Sequence, residues 1–389
     1  MKYLVLLCDG ASDEKIPSLA DKSIFEYANT PNLDKLAQRG VCGLVRTTPK
    51  GFSPGSDICN LSVMGYDPKR YYSGRSPLEA ASKGIELGEN DTAFRCNLVS
   101  IAEDDGSYYM QDFSAHHISN ELAALAVKRL STLFAKDGIE FYQGLSYRNL
   151  MIIRDSIQAQ TTPPHDITGE RIDDYLPSGE DGLFLRGIMQ KAIEIFDETV
   201  LPANSIWLWG GGKRPNIPAF KELYGLSGGI VAAVDLLKGI GKYAGFKYID
   251  VPGITGYIDT NFAGKAEYGA KALKDLDYLF IHVEAADEAG HAGNIEDKVC
   301  ALENIDSKMI PIIMEILPSY KDFRILVMPD HATPVHLKTH TAEPVPALIY
   351  GTGVTSDANR SFSEFIKPSF ILDEGYKIAE LFFRPEITC

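Results

Sequence analysis

Five of the eight histidines in this 389-residue chain fall between positions 282 and 340: His282, His291, His331, His336 and His340. Asp287 stands four residues before His291, Asp330 directly precedes His331, and His340 follows nine residues later. Asp9 stands far from these, directly after the apolar run 3–8. Carboxylate oxygens and imidazole nitrogens without a thiolate suit Mn²⁺ or Zn²⁺ in a dinuclear hydrolytic or phosphoryl-transfer centre. They exclude a thiolate structural zinc site. Each piece alone is ordinary. An Asp after a strand is usually a turn or cap residue. Asp287 and His291 share a face only if the segment is helical, and a lone pair of this kind is more often a surface hydrogen bond. Asp330 and His331 diverge in a strand but can both turn inward at its end. The set as a whole carries the chemistry.

A second group is the stretch 47–57, Thr-Thr-Pro-Lys-Gly-Phe-Ser-Pro-Gly-Ser-Asp. Its Gly and Pro residues fix a turn, and Ser56-Asp57 opens an expected helix over 58–64. Either residue could be a simple N-cap. A serine at a helix N-terminus also sits in positive potential. Beside a metal ion its hydroxyl ionises more easily and becomes a nucleophile.

Strands must bring these residues together. The runs 3–8, 205–209, 277–284 and 323–328 are apolar on both faces and end in acidic or Gly-rich sequence. Such runs suit a parallel sheet covered by helices, and ligands of such sheets sit beyond the strands' carboxyl ends. Helical patterns lie over 30–39, 229–244 and 296–317, the last with an apolar stripe from Val299 to Ile316. The expected fold is therefore α/β. From 91 to 181 this cadence is lost. That segment has a helical pattern over 119–134, strand-like pieces near Phe141 and over 150–153, and turn-rich sequence over 161–169. The expected organisation is a metal-binding core of 1–90 plus 182–389 and an inserted α+β cap or substrate domain of 91–181.

Composition narrows the function. The chain has 38 Lys+Arg against 53 Asp+Glu, a net charge of −15. Nonspecific nucleic-acid binding needs a positive surface, so no nucleic-acid partner is expected. No window holds ~18 consecutive apolar residues, so no membrane span is expected. The run 3–8 is shorter than a secretory signal requires and reads as a buried first strand. Six scattered cysteines with no CxxC read as reduced thiols of a cytoplasmic protein.

Several ordered motifs go beyond these arguments: Leu7-Cys8-Asp9-Gly10, Pro54-Gly55-Ser56-Asp57, Gly65-Tyr66-Asp67-Pro68 and Gly74-Arg75-Ser76-Pro77-Leu78-Glu79-Ala80. They continue in Ala286-Asp287-Glu288-Ala289-Gly290-His291, Pro329-Asp330-His331 and Thr339-His340-Thr341. With them the chain resembles, over nearly its whole length, the cofactor-independent phosphoglycerate mutases of the archaeal type, within the alkaline phosphatase superfamily. The resemblance implies an alkaline-phosphatase-like core with an inserted cap. It implies Ser56 as phosphoryl-accepting nucleophile, one metal held by Asp9, Ser56, Asp330 and His331, and another by Asp287, His291 and His340. Mn²⁺ is the first expectation, with Zn²⁺, Mg²⁺ or Co²⁺ as alternatives, and 2,3-bisphosphoglycerate is not required.

The implied reaction is ping-pong transfer between 3-phosphoglycerate and 2-phosphoglycerate through phosphoserine, with the glycerate retained in a closed, dry cleft. A small phosphorylated acid needs cationic partners. The candidates are Arg75, Arg95, Arg148, Lys213, Arg214 and Lys265, with His165 oriented by the turn Pro163-Pro164-His165-Asp166. His116 and His117 are further cap candidates, and His282 and His336 are read as structural. A homo-oligomer is a possible state. The stretches 204–210 and 333–340 look closer to a bacterial subgroup of the family proposed to be homoserine kinases. That alternative, or a metal-dependent phosphatase, would keep the core site and change the acceptor. The chain has no GxxxxGK[ST] loop for a nucleotide.

Overall fold

The computed structural model describes residues 1–196, 201–357 and 359–388. Two compact units emerge, Met1–Tyr72 with Ile217–Cys389, and Ser73–Asn216. Cys389 lies outside the described residues, and among the described residues no disulfide joins the other five cysteines. Strand β1 spans Lys2–Cys8, β2 Val41–Val45, β3 Thr92–Asp104, β4 Ser107–Asp112, β5 Ile139–Leu145, β6 Arg148–Ile153 and β7 Ser205–Lys213. Strand β8 spans Gly228–Val231, β9 Lys247–Tyr248, β10 Tyr278–Val283, β11 Phe323–Met328, β12 Val345–Gly351 and β13 Phe370–Leu372.

The core unit holds an eight-stranded sheet in the order β13-β2-β12-β11-β1-β10-β8-β9. Five neighbours, β11, β1, β10, β8 and β9, run parallel. Only β12 is antiparallel to its neighbours. The sheet is mostly parallel, as the doubly apolar runs predict. Strand β1 is buried at every residue after Lys2, and β10 throughout. Each fully buried Leu of β1 contributes about 1.5–3 kcal/mol of transfer free energy.

Register sets the site. β1 lies between β10 and β11, with Cys8 opposite Val283 and Leu7 opposite Met328. The three strands end level. Asp9, the turn leading to Asp287, and Asp330 therefore leave the sheet at one edge, although 278 residues of chain separate Asp9 from Asp287 (287 − 9). After β10 the helix Ala285–Ala292 begins at once and stops at Gly293, whose φ of 71° only glycine adopts freely.

The second unit differs from the expectation in two ways. Strand β7, read from its apolar run as part of the parallel sheet, pairs antiparallel with β3. It belongs to a five-stranded sheet, β4-β3-β6-β5 with β7 on the other side of β3. The unit is also wider than 91–181. Helix Arg75–Ser82 buries Ala80 against Ala93 and Ile152, so the chain from Ser73 belongs here. Helix Gly182–Ile193 places Leu185 and Met189 in the same core as Trp207, which holds its segment in this unit as well. Helix Asn120–Leu133 forms where its pattern predicts, capped by Ser119 and buried through Ala123, Ala126, Val127 and Leu130. The α/β core and α+β insertion are as expected. Among the described residues no helix is long and apolar enough to cross a membrane.

Leu6 is fully buried, and β1 pairs on both sides there, with Ile281 and Val327. Leu6→Ala should destabilise the protein by about 2–5 kcal/mol, read as a lower urea midpoint by circular dichroism. An unchanged midpoint would contradict this strand's central place.

Candidate active site

Each strand end hands over a candidate ligand at short range. Asp9 N–H donates to Val283 O at 2.9 Å, which extends β1 by one residue beyond the sheet. Gly10 then turns with φ +60°, and any Cβ there would collide with Asp287 Oδ1 and Thr333 Oγ1. Its N–H donates to Asp330 Oδ1 at 3.2 Å. His331 Nε2 lies 3.4 Å from both Asp9 Oδ1 and Asp330 Oδ2. Beside it, Asp287 Oδ2 lies 3.3 Å from His291 Nε2 and Oδ1 lies 3.5 Å from His340 Nε2. His291 Nε2 and His340 Nε2 are 2.9 Å apart.

Ser56 joins them from elsewhere. It is the first residue of the helix Ser56–Val63, whose N-cap is Gly55. Neither Ser56 nor Asp57 caps the helix. The Ser56 hydroxyl is left to face His331 Nε2 at 3.4 Å, at the positive end of the helix. Asp57 instead accepts from Tyr72 OH at 2.6 Å.

Other residues hold these groups in place. Asn60 Nδ2 donates to Asp330 Oδ2 at 2.7 Å and to Ser56 O at 2.8 Å, tying the two residues together. Thr333 Oγ1 donates to Asp287 Oδ1 at 2.5 Å, and Thr47 Oγ1 to Asp330 O at 2.5 Å. His291 Nδ1 lies 3.0 Å from Lys338 O, and His340 Nδ1 lies 3.4 Å from Pro54 O. Both contacts turn Nε2 inward, the usual role of a ligand's outer hydrogen bond. Asn60 had a signal in sequence, four residues after Ser56 on one helix face. Thr47 and Thr333 had none, because each acts on a ligand from a distant loop.

The electrostatics suit a divalent cation. Burial, reinforced by Asp330, Asp287 and Glu284, pushes the Asp9 carboxyl well above its ordinary range. Burial works against Asp287 too, but hydrogen bonds from His291 and His340 win and hold its carboxyl well below the usual range. The Asp287 hydrogen bond raises His291 to about 9. Burial lowers His331 and so favours the neutral, ligating imidazole. Burial also raises Glu284 to about 8. Asp9 Oδ1 is buried without a hydrogen-bond donor among the described residues. Asp287, His291 and His340 could hold one metal ion, and Asp9, Asp287 and His331 lie close enough to hold another. Oxygen and nitrogen donors, an orphaned carboxylate oxygen and converging imidazole nitrogens all fit divalent metals.

All seven predicted ligands thus converge. His282 sits in β10 as expected, fully buried, with Nε2 2.9 Å from Asp9 Oδ2 but making no hydrogen bond. His336 is exposed and lies 3.9 Å from Glu14. Of the substrate candidates, Arg75, Arg95, Arg148 and His165 gather in the second unit. Arg95 Nε and Nη2 donate to Glu79 at 3.0 and 2.5 Å, and Arg75 Nε donates to Glu79 at 3.3 Å. Arg95 lies over the Trp209 ring at 4.6 Å, and His165 meets the same ring at 5.3 Å. Arg148 Nε donates to Tyr147 OH at 3.1 Å. Burial lowers His165, and the nearby charges of Arg95, Arg75 and Arg148 push it the same way. Lys213 ends β7 in this unit. Lys265 does not join the group. It is buried in the core unit, donates to His282 O at 3.0 Å, and burial lowers it to about 8.

Fold and site define a class: an α/β enzyme with a carboxylate–imidazole centre fit for divalent metals at the carboxyl edge of its sheet. Comparison with known proteins names the family. A family model described as 2,3-bisphosphoglycerate-independent phosphoglycerate mutase matches residues 37–201. The enzyme of that name from Methanosarcina acetivorans is 49% identical over 365 residues, covering 90% of this chain and 91% of the relative. A probable one from Geobacter sulfurreducens is 44% identical, over 98% and 99% of the two chains. A solved Pyrococcus horikoshii protein superposes with TM-score 0.82 at 28% identity, over 98% and 96% of the chains. The cofactor-independent phosphoglycerate mutase of Thermoplasma acidophilum shares the fold, with TM-score 0.69 at 24% identity over 98% and 99%. The chain belongs to the 2,3-bisphosphoglycerate-independent phosphoglycerate mutase family.

With its value near 9, His291 is protonated at neutral pH in metal-free protein, and a metal must displace that proton. Mn²⁺ affinity should therefore rise with pH, by up to about tenfold per unit, and level off above the value for His291. Calorimetric titration of chelator-treated protein checks this. A pH-independent affinity would remove His291 from the ligand set.

Proposed function

We propose that this chain is a cytoplasmic enzyme that interconverts 3-phosphoglycerate and 2-phosphoglycerate without 2,3-bisphosphoglycerate, through phosphoserine at Ser56. One observation carries the reading: in a chain of this family, the Ser56 hydroxyl is free of capping and faces the assembled carboxylates and imidazoles. Asp9, Ser56, Asp330 and His331 would hold one divalent ion and Asp287, His291 and His340 the other, with Mn²⁺ the first candidate. Bound there, such ions supply charge for the attacking and leaving oxygens.

The remaining work belongs to the chain. Ser56 Oγ gives up its proton and attacks phosphorus, the bond to the substrate's 3-oxygen breaks, and that oxygen takes up a proton to give glycerate. The glycerate 2-hydroxyl then gives up its proton and attacks phosphoserine, and Ser56 Oγ leaves and is reprotonated. Asn60 keeps Ser56 and Asp330 in register through both steps. Arg75, Arg95 and Arg148 present guanidinium groups to substrate carboxylate and phosphate, and we assign the second unit as the substrate domain on their account. Glu79 fixes the guanidinium planes of Arg75 and Arg95.

A paired assay with Mn²⁺ tests the reading. One arm follows 2-phosphoglycerate from 3-phosphoglycerate through enolase. The other follows O-phosphohomoserine from homoserine and ATP. Turnover is expected in the first arm only, and turnover confined to the second would move the acceptor to homoserine. Ser56→Ala should retain its fold, lose turnover by several orders of magnitude, and show no phosphoserine by mass spectrometry.

A further inference from the structure

We propose that Lys298 is a positioning residue for the metal centre, acting through Thr333 and Ser12 without touching ligand or substrate. Lys298 lies on the helix Ile295–Asn304 and its side chain is fully buried. An ammonium has three protons to place, and all three are used. Nζ donates to Asp13 Oδ2 at 2.8 Å, to Ser12 O at 3.1 Å and to Thr333 O at 2.7 Å. Ser12 lies on the loop that leaves β1 through Asp9. Thr333 lies on the loop that leaves β11 through Asp330 and His331. One buried cation therefore clamps the two loops that carry three of the predicted ligands.

Thr333 converts that clamp into ligand geometry. Its N–H donates to Ser12 O at 3.2 Å, closing the two loops on each other. Its hydroxyl donates to Asp287 Oδ1 at 2.5 Å and lies 3.2 Å from His331 Nδ1. A shift of Thr333 would thus move a ligand of each metal set. Asp13 is held in turn by Val335 N–H at 3.2 Å, while its own N–H donates to Glu364 Oε1 at 2.9 Å. Stability alone does not account for this arrangement. A buried ion pair is commonly matched or bettered by apolar residues of similar volume. A charge whose protons reach carbonyls of both ligand loops sets a distance that apolar packing would not.

The test compares the parent, Asp13→Asn, and the double variant Lys298→Met with Asp13→Asn, all as full chains. The readouts are the Mn²⁺ dissociation constant after chelator treatment and the thermal midpoint without metal. The double variant removes both charges of the buried pair and leaves neither unpaired, so its midpoint should lie at or above that of Asp13→Asn. Its Mn²⁺ binding should weaken about 10–100-fold, the usual cost of removing an outer partner of a metal site. Asp13→Asn alone keeps the ammonium on both carbonyls and should bind as the parent does. Parent-like affinity in the double variant, its failure to fold, or an equal loss in Asp13→Asn would each overturn the proposal. The inference rests on the metal assignment above. A parent that binds no Mn²⁺ would defeat that assignment, whereas unchanged affinity in the double variant would defeat only the role of Lys298.

Discussion

Three aspartates, Asp9, Asp287 and Asp330, are packed out of solvent at one edge of one sheet. Like charges in a low-dielectric setting repel strongly, and none of them would choose this place on its own account. The rest of the core follows from holding them there. Hydrogen bonds from Gly10 and the His331 N–H occupy Asp330 Oδ1, and Asn60 takes one lone pair of Oδ2. His291, His340 and Thr333 gather on Asp287. Asp9 receives the least help, and its carboxyl is pushed well above its ordinary range. Departures from ordinary burial rules of this kind mark functional sites, and the surrounding sheet supplies the stability that tolerates them.

That sheet meets the constraint with contacts that are almost all long-range. Asp9 precedes the insertion, Ser56 lies shortly before it, and every other candidate ligand comes after it. Only the side-by-side order β11-β1-β10 turns these distant positions into neighbours. Parallel neighbours require crossovers, and here one of the excursions between core strands has grown into a unit with its own antiparallel sheet and core. The site therefore cannot assemble until the chain has been followed to His340.

The convergence of the candidate ligands was legible because each follows a buried strand or stands in a compact motif, and a strand end has one place to point. The strand β7 was not. Its residues Ile206 to Trp209 are apolar on both faces whether they join a parallel core sheet or, as they do, an antiparallel sheet packed against a helix. Periodicity carries no information about which partner strand is chosen. The edges of the insertion were missed for a related reason, since Arg75–Ser82 reads as one more core helix until its buried face is seen against Ala93. Lys265 looked like a free cation because a sequence does not reveal that an ammonium is spent on the backbone of a strand. Asn60, Thr333 and Lys298 were missed because their partners stand 270, 46 and 286 residues away.

Both tryptophans of the chain, Trp207 and Trp209, lie on β7 in the second unit, and the core unit has none. Trp207 is fully enclosed, with its indole N–H on Thr162 O at 2.8 Å. Trp209 lies between the Arg95 guanidinium and the His165 ring. The molecule thus carries a built-in optical label for one unit and is dark in the other. Light excited where tyrosine does not absorb reports a steady background from Trp207. Over it lies a signal from Trp209 that changes with the charge and crowding around Arg95 and His165.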